Sequence, residues 1–122
     1  MNPILNARWR GQSEREEQAQ YTGFSMVSSH VGYLREAYHG GPYATKHLCA
    51  EAFETGEARI SAALLRERLP RTLDIVRERE RKIYEATDEE IDEVEQSFRN
   101  FVELCEAKEK ETGEAVLIIA SY

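Results

Sequence analysis

The stretch from Leu69 to Thr112, LPRTLDIVRERERKIYEATDEEIDEVEQSFRNFVELCEAKEKET, decides the fold. In its second half Ile91, Val94, Phe98, Phe101, Val102 and Cys105 recur at spacings of three and four, which places them in one stripe of a helix. Thr87 followed by Glu90 has the form of a capping box, in which each side chain reaches the other's backbone amide. Asp88, Glu89 and Glu90 then fall where the helix dipole favours negative charge. Gly113, preceded by Lys108 and Lys110, supplies the stop. The first half opens at Pro70, whose missing amide proton suits the first helical position. It carries Leu73, Val76, Ile83 and Tyr84, with Glu80 where another core residue is due. The short break between the halves predicts an antiparallel helix hairpin over about 70–85 and 88–112.

Working outward, the segment after Gly113 contains Val116, Leu117, Ile118 and Ile119, β-branched-rich and just past a helix stop, which predicts a short C-terminal strand. A strand needs a ladder partner. Residues 1–12, with Ile4, Leu5 and Trp9 and no helical period, are an arm or short strand that could pair with it; the alternatives are a second copy of the chain, or a further helical turn in place of the strand. Residues 13–122 are then a single helical domain. Within it Ser13 and Glu16 form another capping-box pattern, and the spacing of Tyr21, Phe24, Val27, Val31, Leu34 and Tyr38 predicts a helix over about 14–39, weakened by Gly23 and Gly32. Gly40, Gly41 and Pro42 form a loop. Helices over about 43–55 and 57–68 follow, and Leu69, which precedes proline, marks a bend. The expected architecture is mainly α, a small helical bundle built on the hairpin.

With 122 residues, 41% of them hydrophobic and 32% charged, the chain is long enough for a core without disulfides or metals. The longest apolar run, Ala115 to Ala120, is too short to span a bilayer, and the N-terminus lacks a signal-peptide core; a soluble, cytoplasmic protein with no membrane partner is expected. Cys49 and Cys105 read as buried small hydrophobes. The net charge of -7 disfavours direct nucleic-acid binding. That charge is unevenly placed: 11 acidic and 3 basic residues lie between Asp88 and Glu114, leaving 12 acidic and 13 basic elsewhere. Arg66 to Lys82 is locally basic, so the two arms of the hairpin should attract one another along their flanks.

Chemical motifs are sparse. His30, His39, His47 and Cys49 could ligate a metal, but their separations match no zinc pattern. Glu36 with His39 gives a Glu-x-x-His pair that di-iron bundles need twice. Neither a metal nor another cofactor is expected. Glu89, Glu90 and Glu93 spell a Glu-Glu-x-x-Glu run that resembles the magnesium-binding motif of all-α nucleotide pyrophosphohydrolases of the MazG type; the Glu-x-x-Asp that such enzymes carry on the following helix has no counterpart here. Ser28, Ser29 and His30 are adjacent without forming a recognisable triad.

No catalytic constellation emerges, and a non-enzymatic role is expected. The first expectation is a small accessory or regulatory protein that acts by protein–protein interaction through helix faces, with Trp9 as a docking anchor or folded back onto its own core. Its partner is a protein of unspecified identity, with homo-oligomerisation as one form. A second is an acidic inhibitor that presents the 88–114 face, with Glu95, Glu103 and Glu106, to a basic nucleic-acid-binding or nucleotide-binding surface. The third is an all-α metal-dependent nucleotide hydrolase or ligand-binding bundle with a pocket near Tyr33, Tyr38, His39 and Tyr43.

Overall fold

The hairpin forms where its signals place it, with one arm longer than expected. In a computed structural model that describes residues 3–20, 30–36 and 41–121, helix α5 spans Asp88–Thr112. Thr87 Oγ1 accepts from the amide of Glu90 at 3.2 Å and Glu90 Oε1 accepts from the amide of Thr87 at 3.1 Å. The helix stops at Gly113 in the left-handed conformation, φ 80°. Helix α4 spans Ala62–Tyr84 and begins at the Ser61 cap, so Pro70 lies inside it rather than at its start, and the helix runs on through Leu69 without a break. A proline in a helix interior costs about 3 kcal/mol. Here the cost is met by packing, because Leu65 and Leu69, before the proline, and Thr72 and Val76, after it, lie on one buried stripe while Pro70 faces solvent.

That stripe also corrects the seam. Ala62, Leu65, Leu69, Thr72, Val76 and Arg79 are buried, whereas Ile83 and Tyr84 are about half exposed. The inner face runs through Arg79 and not Glu80, and beyond it the tip of the hairpin leaves the core. The opposite charges of the arms do meet. Arg66 binds Glu106, Arg77 binds Glu95 with Asp92 at 3.8 Å, and Arg81 binds Asp88, a ladder that runs from one end of the hairpin to the other.

The remaining elements are strand β1 (Ile4–Arg8), helix α1 (Glu14–Ala19), strand β2 (Tyr33–Arg35), helices α2 (Ala44–Leu48) and α3 (Ala50–Thr55), strand β3 (Glu57–Ile60) and strand β4 (Val116–Ser121). The expected terminal strand therefore has its partner within the chain. β1 pairs antiparallel with β4 from Ile4↔Ser121 to Arg8↔Leu117, and the sheet order is β2-β1-β4-β3. Leu5, Ala7, Leu34, Ile60, Val116 and Ile118 join Leu65, Phe98, Phe101 and Val102 in the core. Strand alternation puts Asn6, Tyr33, Leu117 and Ile119 on the opposite face.

Two expected helices are partly strand. The proposed 14–39 helix is α-helical only over Glu14–Ala19 in its described part, with a 3-10 turn at His30 and Val31, and Tyr33–Arg35 is extended. Gly32, at φ 93°, breaks the helical path, and a side chain there would meet Gln20 Nε2 at 2.8 Å, Ala7 Cβ at 3.0 Å and Leu104 Cδ2 at 3.2 Å. Tyr21, Phe24, Val27 and Tyr38 lie outside the described residues. The proposed 57–68 helix begins instead at Ala62, because Glu57–Ile60 pairs with β4. The proposed 43–55 helix is divided at Cys49, whose φ of −127° and ψ of 47° interrupt it while Leu48, Cys49 and Ala52 all reach the core. Among the described residues, no helix is long and apolar enough to cross a membrane.

Candidate functional site

Trp9 follows the last residue of β1, and a turn closed by the Gln12 amide on its carbonyl leads into α1. The start of α1 is fixed by the Ser13–Glu16 capping box, which the sequence predicts and which holds the Glu16 carboxyl below the usual carboxylate range through the hydrogen bond from the Ser13 amide. Gln20, fully buried just after α1, donates through Nε2 to the carbonyls of Ala7 and Val31 at 2.8 Å each and accepts from Arg8. One amide side chain thus ties α1, β1 and the turn before β2 together.

Trp9 packs partly against the core and stands between two clefts. On one side a cleft of about 340 Å³ is walled by Trp9, Leu104, Arg15, Glu16, His30 and Lys108. The Lys108 ammonium lies 5.0 Å from the centre of the Trp9 ring and 3.1 Å from Glu111, a cation–π arrangement. On the other side a cleft of about 320 Å³ is walled by Arg8, Arg10, Arg59, Glu114 and Leu117. Each arginine there is anchored: Arg8 on Gln20, Arg10 on the Thr112 carbonyl, and Arg59 on the Ala115 carbonyl. The surroundings of Trp9 are therefore rich in cations on a chain of net charge -7.

The other residues singled out by sequence fall in different places. Glu95 is 3% exposed and lies between Arg77 at 2.6 Å and Arg99 at 3.0 Å, so it faces inward rather than outward. Glu106 is paired with Arg66, whose guanidinium holds the carboxyl below its ordinary range, while Glu103 is exposed. Tyr33 is 6% exposed on β2, and burial pushes its phenol up. Tyr43 precedes α2 with the Lys46 ammonium over its ring at 5.2 Å. Neither tyrosine lines the clefts beside Trp9, and Tyr38 and His39 lie outside the described residues. In the Glu-Glu-x-x-Glu run Glu90 is engaged in capping, and among the described residues no group of three His, Cys, Asp or Glu side chains could hold a metal ion.

Sequence reasoning named His30 and Lys108 in other roles and did not bring them together with Arg15 and Asn100, as α1, the turn before β2 and α5 do. Gln96 Nε2 donates to Asn100 Oδ1 at 2.9 Å, and Asn100 Nδ2 lies 2.9 Å from His30 Nε2. Taken together, this is a mainly helical chain in which a long hairpin packs on a small antiparallel sheet, with a tryptophan between two clefts just past the end of the interior strand β1. No family model, curated protein or solved structure matches it.

Proposed function

We propose that this chain is a small accessory or regulatory protein that works by protein–protein interaction through its helix hairpin, and that the surface used is the hairpin tip, against a second copy of the chain. The observation that carries this reading is the exposure of Ile83 (48%) and Tyr84 (49%), the large hydrophobics exposed among the described residues. Adjacent, half-exposed apolar side chains at a projecting turn have the composition of a docking spot. Charge argues for self-association. Lys82 stands on one arm of the tip, and Glu85 and Glu89 on the turn and the other arm, all exposed, while Arg81 and Asp88 are paired with each other. A twofold axis through the tip sets the cation of one copy against the acids of the other, the self-complementarity that an isologous contact requires. The patch is small, so the association belongs to the weak, reversible class.

Sedimentation equilibrium between about 10 μM and 1 mM, the range of weak complexes, tests this. The expected result is a monomer–dimer equilibrium that Ile83→Ser with Tyr84→Ser shifts to monomer without loss of helicity. A chain that stays monomeric throughout, or a dimer unaffected by the double substitution, overturns it.

A further inference from the structure

We propose that the cleft between Trp9 and Leu104 is a binding site for a small organic anion, a molecule with an apolar body and one carboxylate or phosphate group. Its volume, about 340 Å³, is at the lower end of the range that small-molecule sites occupy. Two of its walls are apolar, the Trp9 ring and Leu104. Leu104 can approach because Gly32 carries no side chain, the missing Cβ position being 3.2 Å from Leu104 Cδ2.

The polar rim is cationic. Arg15 is exposed on α1, and Lys108 is held over Trp9. The one acid in the wall, Glu16, accepts from the Ser13 amide at 3.0 Å through one carboxylate oxygen and lies 4.0 Å from the Lys108 ammonium through the other, so an entering anion takes over part of an existing pairing of Lys108. The third polar group is His30. Its imidazole is exposed, and its Nε2 lies 2.9 Å from Nδ2 of Asn100, a side chain 8% exposed on α5 and itself held by Gln96. Two side chains of α5 are thereby committed to orienting one solvent-facing ring. An ammonium, a guanidinium and an oriented imidazole beside an aromatic face form a recognition set for an oxyanion with an apolar tail.

Trp9 is the single tryptophan of the chain and borders both clefts, so its emission reports on either, and the Arg15 and Lys108 variants, which line only this one, assign the response to it. Titration with 3-phenylpropionate and with phenyl phosphate is expected to give a saturable change, and titration with 3-phenylpropylamine none. The order of the two anions separates carboxylate from phosphate as the preferred group. Lys108→Gln and Arg15→Gln should each weaken binding about tenfold, the scale of one charge-assisted hydrogen bond. Asn100→Ala, which keeps every charge and frees the imidazole, should weaken it about threefold, near the lower end for an ordinary hydrogen bond. The exposed Arg15 variant carries the test should Lys108→Gln disturb the fold by circular dichroism. No saturable response to either anion, an equal response to the amine, or unchanged affinity in Arg15→Gln overturns the proposal.

Discussion

Glu36 and Arg79 form an ion pair in which both side chains are 1% exposed. The Glu36 carboxylate also accepts from the amides of Ala44 at 2.8 Å and Thr45 at 3.0 Å and from the Thr45 hydroxyl at 2.6 Å. The residue that follows β2 thus caps α2 while neutralising a guanidinium from α4, so three separate elements converge on one buried carboxylate.

Removal of one partner should therefore be costly. Arg79→Met leaves a buried carboxylate without its counter-charge, and Glu36→Gln leaves a buried guanidinium; each is expected to lower stability by about 3–5 kcal/mol in urea unfolding. The double variant should lose less than the two single losses combined. Strict additivity would show that the pair is not coupled.

Gly32→Ala should destabilise by about 2–4 kcal/mol, since it combines a disfavoured backbone region with a collision in packed surroundings. The positive φ and the contact with Gln20 both oppose the new methyl group. Gly11, also at positive φ but with open space around it, should tolerate alanine better. Equal thermal shifts for the two variants would contradict the close approach at Gly32.

Cys49 and Cys105 are free and buried. Burial pushes the Cys105 thiol up to about 12 and raises that of Cys49 well above its ordinary value. Both thiols should be unreactive toward Ellman's reagent in the native protein at pH 8 and fully reactive in denaturant, because the thiolate is the attacking species. Rapid native labelling of either would show that the core opens there.

Arg68 holds the Glu51 carboxyl down to about 2, chiefly by hydrogen bonding at 2.6 and 2.7 Å. A depressed folded-state value means that the stabilisation is present above the ordinary value of 4.5 and is lost as pH falls toward about 2. The Glu51 side chain is 42% exposed, so screening limits the effect to about 1 kcal/mol. Arg68→Met should flatten the stability profile between those two pH values, losing the full contribution above 4.5 and leaving stability unchanged below about 2. An unchanged acid limb would remove Arg68 from that role.

Much of the fold was legible because its signals are local. The Thr87–Glu90 and Ser13–Glu16 boxes, the Gly113 stop and the stripe of α5 each need only a few neighbouring residues, and all are found. The pairing of the chain's apolar ends was one of the alternatives the sequence left open, since a second copy of the chain offers the same strand. β2 and β3 were not legible, because Tyr33–Arg35 and Glu57–Ile60 are too short to show a period of two and are defined by partners far away in sequence. Pro70 misled because the packing of Leu65 and Leu69 outweighs its local preference. The cleft beside Trp9 was illegible for a related reason: Arg15, His30, Asn100 and Lys108 share no motif and meet only once β1, α1 and α5 are in place.

The pairing of Ile4 with Ser121 has a kinetic consequence. Closing a ladder between such distant segments restricts nearly the whole intervening chain, so it is the slow step, while the neighbouring arms of the hairpin find each other early. During that delay Val116 to Ala120, an uncharged run of strand-forming residues, has no neighbour to shield its backbone. The nascent molecule is most vulnerable to clumping in this interval, and dilute, cool refolding should recover more of it than concentrated, warm refolding does.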